Sequence, residues 1–214
     1  MPHDVALIPH ILTPDLCRDA LLCLDALPED SYHHLVHPRW GPSKRKGEAA
    51  YGRHNQPPIP TPLRRVADKI QHYFAQRWPL STLAQPMQTL TVQRYKPGEG
   101  LTKHRDGPKQ KPFVVGVTLC HDQDYLRKLR FRMLTNPSVK YDLHTPHASV
   151  YVFHGDAYND WTHESVPSKT QNALVYSLTF RNRTIRTPSY ETPPFFNPFQ
   201  PIANTVGNTA VDNA

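Results

Sequence analysis

Cysteine is scarce in this sequence, and long apolar runs are absent. The cysteines are Cys17, Cys23 and Cys120. They are too few and too scattered for a disulfide framework or a zinc site. The longest apolar stretch, Phe113 to Cys120, is far shorter than the about 20 residues that a membrane-spanning helix needs. Since no basic segment precedes an apolar one near residue 1, we expect no membrane association and an intracellular protein, cytoplasmic or nuclear.

Basic residues outnumber acidic ones, and proline is abundant. The 25 Lys and Arg against 18 Asp and Glu give a formal net charge of +7. Such a surface attracts polyanions, so the charge favours a nucleic-acid partner. The 23 prolines exclude long uninterrupted helices. A length of 214 residues indicates one main domain, and we expect a monomer.

The first half of the sequence predicts two helices separated by a long loop. Thr13-Pro14-Asp15 combines a capping hydroxyl, an N-terminal proline and a first-turn acid, which predicts a helix to about Leu27. Thr61-Pro62 starts a second helix by the same pattern. Its apolar stripe consists of Leu63, Val66, Ile70 and Phe74. Residues 32–60, rich in Pro, Gly, His and basic residues, are predicted to form a loop.

After Pro86 the apolar period changes from helical to two, which predicts short strands. The predicted strands begin at Leu90 and continue with Phe113–Leu119, Leu129–Met133, Val150–Phe153 and Leu174–Arg181. Two helices followed by strands indicate an α+β fold, a barrel or sandwich braced by N-terminal helices. We place the domain at 1–186 and a Pro- and Asn-rich irregular tail at 187–214.

Three residues have the composition of a non-haem iron site. His104 and Asp106 are two residues apart, so in an extended strand both side chains point the same way. His163 follows a turn much later in the chain, as a neighbouring strand would deliver it. Two imidazoles and one carboxylate suit Fe(II) with open coordination positions. A rival pair, His154 and Asp156, would need His163 from the very next turn as its third ligand. No strand crossing would then lie between the ligands to surround the ion, so we favour the first set.

Several blocks resemble the AlkB-like branch of the 2-oxoglutarate- and Fe(II)-dependent dioxygenases. They are Gln93-Arg94-Tyr95-Lys96-Pro97-Gly98 with His104-Arg105-Asp106, the strand Phe113–Leu119, the segment Gly155 to His163, and Tyr176-Ser177-Leu178-Thr179-Phe180-Arg181. The resemblance implies a double-stranded β-helix (jelly-roll) core and the cofactors Fe(II) and 2-oxoglutarate. It implies that His104, Asp106 and His163 hold iron, that Tyr95 hydrogen-bonds 2-oxoglutarate, and that Arg181 faces a carboxylate.

The sequence departs from this family at two positions. Gln93 stands where the family has Asn, and this longer amide could still donate to the cosubstrate. Val175 stands where the family has the arginine that holds the distal carboxylate of 2-oxoglutarate. The candidate replacements are Arg181, Arg183 and Lys169. Alternatively, the domain has lost 2-oxoglutarate turnover and Val175 packs in the core.

The resemblance also places a nucleotide-recognition lid at residues 32–60. Its candidate substrate-binding residues are Trp40, Tyr51 and His54 for stacking on bases and Arg45, within a group of cations, for phosphates. Solvated loop charges beside buried aromatics would give the same pattern. Arg130 and Arg132 share one face of a predicted strand, which fits a groove wall or a plain solvated face equally.

The resemblance implies an enzyme that oxidatively demethylates or hydroxylates alkylated nucleobases in DNA or RNA, with roles in DNA repair or RNA modification. One alternative is a hydroxylase of a protein side chain or small molecule with the same iron centre. Another is a catalytically weak nucleic-acid-binding module, which the loss of the arginine at Val175 would favour.

Overall fold

The computed structural model describes residues 4–32, 36–37, 41–42, 48–53, 55–79, 81–106, 113–168, 172 and 174–182. Within them the helices are α1 (Pro14–Asp25), α2 (Thr61–Arg77) and α3 (Gly155–Asn159), with short 3-10 turns at Glu29–Ser31 and Thr82–Ala84. The strands are β1 (Val5–Ile8), β2 (Val36–His37), β3 (Gly41–Pro42), β4 (Glu48–Tyr51), β5 (Thr89–Tyr95), β6 (Leu101–His104), β7 (Phe113–Cys120), β8 (Arg127–Met133), β9 (Lys140–Thr145), β10 (Ser149–His154), β11 (Trp161–Ser165) and β12 (Val175–Arg181). No described helix is long and apolar enough to cross a membrane.

The strands form two main antiparallel sheets. The large sheet has the order β1-β10-β7-β12-β5-β4, and the small sheet has the order β6-β11-β8-β9. From β5 to β12 the chain passes repeatedly from one sheet to the other, so strands distant in sequence become neighbours. This is the double-stranded β-helix, and the predicted fold class is confirmed. β2 and β3 pair only with each other among the described strands.

The two long helices pack against the outer face of the large sheet. Thr13 caps α1, since its hydroxyl accepts a hydrogen bond from the Leu16 amide at 3.4 Å, and the helix ends at Asp25, before the predicted Leu27. The predicted stripe of α2 is fully buried in the core between helices and sheet. The predicted capping of α2 is wrong in one detail, because Pro60 is the N-cap and Thr61 is already helical.

Strand β12 shows how the large sheet divides its side chains between two cores. Tyr176, Leu178 and Phe180 pack in the core beneath the helices. The alternate residues point between the two sheets, where Val175 packs with Tyr95. Because both faces of the sheet are covered, every residue of β7 is buried. Val175, which stands where the resembled family has an arginine, therefore lies on the inward face of β12.

The predicted loop at residues 32–60 contains the short strands β2 and β3 and the strand β4, so that prediction is wrong in part. Residues Glu48–Tyr51 form β4, which pairs antiparallel with β5 and closes one edge of the large sheet. Alanines give this segment little intrinsic strand propensity, and the free backbone groups of the β5 edge explain why it becomes extended.

Candidate metal centre

A β-bulge in β6 turns His104 into the space between the sheets. Leu101 lies opposite Ser165 and His104 lies opposite His163, so three steps along β6 match two steps along β11. Leu101 is buried between the sheets, and simple alternation would therefore point His104 outward. The additional residue of the bulge reverses that direction. The local irregularity is what brings the two imidazoles to one face.

His104, Asp106 and His163 form a cluster that could hold a metal ion. Each offers a ligand atom, and these atoms lie within 4.8 Å of one another. The two imidazole centroids are 4.3 Å apart. Asp106 follows β6 rather than lying in it, so its position depends on the chain after the strand and not on strand alternation as predicted. Of the rival pair His154 and Asp156, the side chain of Asp156 lies outside the part of the chain that the structure describes.

The surroundings of both imidazoles favour the neutral form that binds a metal ion. The Nδ1 of His104 lies 2.8 Å from the carbonyl oxygen of Thr102. Since a carbonyl only accepts, Nδ1 carries the proton and Nε2 is the unprotonated nitrogen, the form that binds a metal ion. Burial, together with repulsion from His104, lowers the pKa of His163 from 6.5 to about 3. His163 is therefore uncharged at neutral pH, and the Phe153 ring, centred 4.9 Å away, packs against it.

Arg181 holds the carboxylate of the cluster. Its guanidinium donates to Oδ2 of Asp106 at 2.9 Å, and both side chains are nearly buried, at 12% and 10% exposure. Burial raises the pKa of Asp106, but Arg181 and the two imidazoles outweigh it and leave the pKa below its usual value. The Nε of Arg181 is buried and has no acceptor among the described residues. An anionic ligand beside Asp106 would supply that acceptor.

The predicted cosubstrate residues lie together on the inner face of the large sheet. The phenol of Tyr95 donates to Oε1 of Gln93 at 2.7 Å, and the Gln93 amide donates to Glu48 at 3.4 Å. Tyr95 lies opposite Val175 in the sheet register. These contacts join residues of the protein to one another, and binding of 2-oxoglutarate by Tyr95 and Gln93 stays a prediction. Two further candidates, Arg183 and Lys169, lie outside the described residues.

The sequence interpretation missed Arg127 as a buried cation on the inward face of β8. Arg127 begins β8 and is 3% exposed. Its Nε donates to the Ser165 hydroxyl at 3.1 Å, and its Nη1 donates to the Tyr151 hydroxyl at 3.4 Å. Among the described residues, no carboxylate lies within ion-pair distance of it. The available indication was its position two residues before Leu129, on the apolar, inward-facing alternation of the strand.

The predicted substrate-binding residues are only partly described. Trp40, Arg45 and His54 lie outside the described residues. Tyr51 is 6% exposed and packs in the core beneath the helices. The prediction that Tyr51 stacks on a base is therefore wrong, because its ring has no free face.

The other arginines of β8 lie on its outward face and pair with carboxylates. Arg130 donates two hydrogen bonds to Asp142, at 2.6 and 2.7 Å, and Arg132 donates to Glu164 at 3.1 Å. This outward face is therefore a network of ion pairs across the small sheet rather than a row of unpaired cations. Its partial neutralisation favours the solvated-face alternative over the groove wall.

The Arg130–Asp142 pair predicts a pH-dependent contribution to stability. The hydrogen bonds from Arg130 are the largest cause that lowers the pKa of Asp142 from 3.8 to about 2. Asp142→Asn is expected to lower the free energy of unfolding at pH 7 by about 1 kcal/mol. Because the folded-state pKa is depressed, this difference should be complete above about pH 4 and shrink as the pH falls toward 2. Urea unfolding at several pH values measures it, with exposed Asp68→Asn as control. A difference that stays constant down to pH 2.5 would contradict the prediction.

Comparisons with known proteins identify structural neighbours only. No family model matches the sequence, and neither does any curated protein. Among solved structures, OsALKBH1 matches with a TM-score of 0.57 and 16% identity, over 84% of this chain and 98% of that chain. A Pseudomonas putida prolyl-4-hydroxylase matches with a TM-score of 0.57 and 17% identity, over 85% of this chain and 94% of that chain.

The chain has the double-stranded β-helix of these neighbours. At such low identity the likeness establishes the fold and leaves the substrate open. The ligand set adds independent chemical support, because two imidazoles and one carboxylate on one face suit Fe(II). The unpaired Nε of Arg181 adds a place for an anion beside the ligands. Fold and site together support Fe(II) and 2-oxoglutarate as the cofactors.

Proposed function

We propose that this protein is an Fe(II)/2-oxoglutarate-dependent dioxygenase that oxidises alkylated nucleobases in DNA or RNA. The observation that carries the proposal is the His104–Asp106–His163 cluster between the two sheets. These three residues would hold Fe(II), and a set of only three protein ligands would leave room at the ion for a 2-oxo acid and dioxygen. Bound together, these groups supply the oxidising power for a C–H bond while 2-oxoglutarate is decarboxylated to succinate.

The residues of the chain fix the ligands and shield the site. The carbonyl of Thr102 holds the His104 ring in one tautomer, and Arg181 holds Asp106. Phe131 and Phe153 pack against each other and against His163, so one wall of the site is apolar and excludes water. For an N-methylated base, oxidation of the methyl group gives an N-hydroxymethyl group. That group releases formaldehyde and leaves the unmodified base.

Charge supports a polyanionic substrate. The chain carries a net +7. Lys103 and Arg105 flank the ligand His104 in sequence, and both are exposed. They offer two cations to a phosphate backbone at the edge of the candidate metal centre. A base that reaches the ion would have to leave its stack, as in other enzymes that modify bases.

The prolyl-4-hydroxylase neighbour gives a second candidate function. It matches this chain as well as OsALKBH1 does, with the same TM-score of 0.57. Hydroxylation of a protein side chain by the same iron centre is therefore the alternative. In that case the basic surface would serve an acidic protein rather than a nucleic acid.

A panel of substrates separates the two candidates. The protein with Fe(II) and 2-oxoglutarate is incubated with methylated single- and double-stranded oligonucleotides, their unmethylated counterparts, and proline-containing peptides. We expect succinate and formaldehyde in equal amounts with at least one methylated oligonucleotide and not with its unmethylated control. Succinate formation stimulated only by peptides, without formaldehyde, would support the alternative. Metal binding without succinate formation under any condition would contradict both.

A further inference from the structure

The space between the two sheets contains a buried positive charge that the metal ligands do not use. Arg127 is 3% exposed, and an arginine stays protonated in proteins. A buried charge without a counter-ion costs several kcal/mol. Its neighbours Ser165, Tyr151 and Tyr95 all present neutral hydroxyls. The protein therefore maintains a desolvated cation at a position where an anion would be strongly favoured.

The surroundings of Arg127 show why its guanidinium lies beside Val175. Its Cζ lies 5.2 Å from the centre of the Tyr95 ring. Tyr95 is the register partner of Val175 and packs with it in one cluster. Val175 is 1% exposed and presents only a short apolar side chain. A longer cationic side chain at position 175 on β12 would therefore lie next to the guanidinium of Arg127 on β8.

The neighbouring residues hold this arginine in place. Tyr151 lies opposite Gly116 in the sheet register, and a Cβ at Gly116 would overlap the Tyr151 ring. The glycine therefore lets the phenol lie across β7, where its hydroxyl contacts both Arg127 and Ser177. Because the position of the guanidinium is already fixed, binding of an anion would cost little side-chain conformational entropy.

Arg127 is hydrogen-bonded to the strand that carries the metal ligand His163. Ser165, which accepts from Arg127, is two residues beyond His163 on β11. Two residues of a strand advance about 7 Å, a distance that the carbon chain of 2-oxoglutarate can span.

We propose that Arg127 binds the distal carboxylate of 2-oxoglutarate and takes over the role of the arginine that is missing at Val175. The inference rests on the proposed 2-oxoglutarate dependence. Arg181, which is hydrogen-bonded to Asp106 at the other end of β12, then lies near the carboxylate of 2-oxoglutarate that is next to the metal. One cation lies at each end of a dicarboxylate, and a valine at position 175 avoids a second charge beside Arg127.

The test removes the charge from the protein and from the ligand separately. The dissociation constants of 2-oxoglutarate and of 2-oxopentanoate, which has a methyl group in place of the distal carboxylate, are measured by calorimetry on Mn(II)-loaded protein without oxygen. In the wild-type protein 2-oxoglutarate should bind about 100-fold more tightly than 2-oxopentanoate. In Arg127→Gln that preference should fall to about threefold or less, while the affinity for 2-oxopentanoate stays nearly unchanged.

Control variants separate charge from folding. Arg130→Gln on the same strand loses an outward ion pair with Asp142 and should keep the full preference. Arg127→Lys retains a cation and should keep an intermediate preference, which provides a test if Arg127→Gln does not fold. An unchanged preference in Arg127→Gln, or in Arg127→Lys where only that variant folds, would overturn the role of Arg127 alone. A wild-type protein that binds neither acid would overturn the proposed function as well.

Discussion

Asp106→Ala is expected to lose its iron. The carboxylate is nearly buried, lies with both imidazoles within 4.8 Å and is held by Arg181. Mutation of a residue that only orients a metal ligand typically lowers metal affinity by about 10- to 100-fold. Loss of a ligand itself should therefore weaken Fe(II) binding by more than about 100-fold. Metal content after anaerobic loading and desalting measures the loss. His104→Ala should behave in the same way.

The matched control for this prediction is Asp160→Ala. Asp160 is an exposed aspartate between α3 and β11, and its side chain has no ion pair among the described residues. This variant should retain one equivalent of iron and form succinate at the wild-type rate. Full iron retention and activity in Asp106→Ala would remove the proposed metal centre.

Arg181→Met is expected to affect both cofactors. Without the guanidinium, Asp106 loses the charge that lowers its pKa and stays buried, so its neutral form becomes more favourable. Fe(II) affinity should fall by at least about tenfold. The concentration of 2-oxoglutarate needed for half-maximal turnover should also rise by at least about tenfold, because a buried ionic partner is lost.

The control for Arg181→Met is Arg105→Met, beside the same aspartate. Arg105 is exposed and donates to the carbonyl of Asn159 rather than to Asp106. It should leave Fe(II) affinity unchanged. If Arg181→Met leaves both the Fe(II) affinity and the 2-oxoglutarate requirement unchanged, then Arg181 neither positions the ligand nor faces the cosubstrate.

The sequence was informative where periodicity and burial coincide. The stripe of α2 and the continuous apolar run of β7 predicted their elements because packing on the large sheet demands those patterns. The resemblance brought His104, Asp106 and His163 into one proposed site, and the structure brings their ligand atoms together.

Features that depend on tertiary pairing were not predictable from local pattern. β4 becomes a strand because the edge of β5 is available to it. The bulge that turns His104 inward depends on the register with β11, which no single segment encodes. Arg127 lies in a run of basic residues, and its charge obscures the inward alternation that it shares with Leu129.

The most direct test of the central claim is a titration of the iron-loaded protein with 2-oxoglutarate in the absence of oxygen. A bidentate 2-oxo acid on Fe(II) gives a visible charge-transfer absorption, and only an ion with adjacent open positions can bind it. We predict one iron per chain and an absorption that saturates at one equivalent of 2-oxoglutarate and is absent in Asp106→Ala. A chain that retains iron but shows no such absorption at any 2-oxoglutarate concentration would contradict the account.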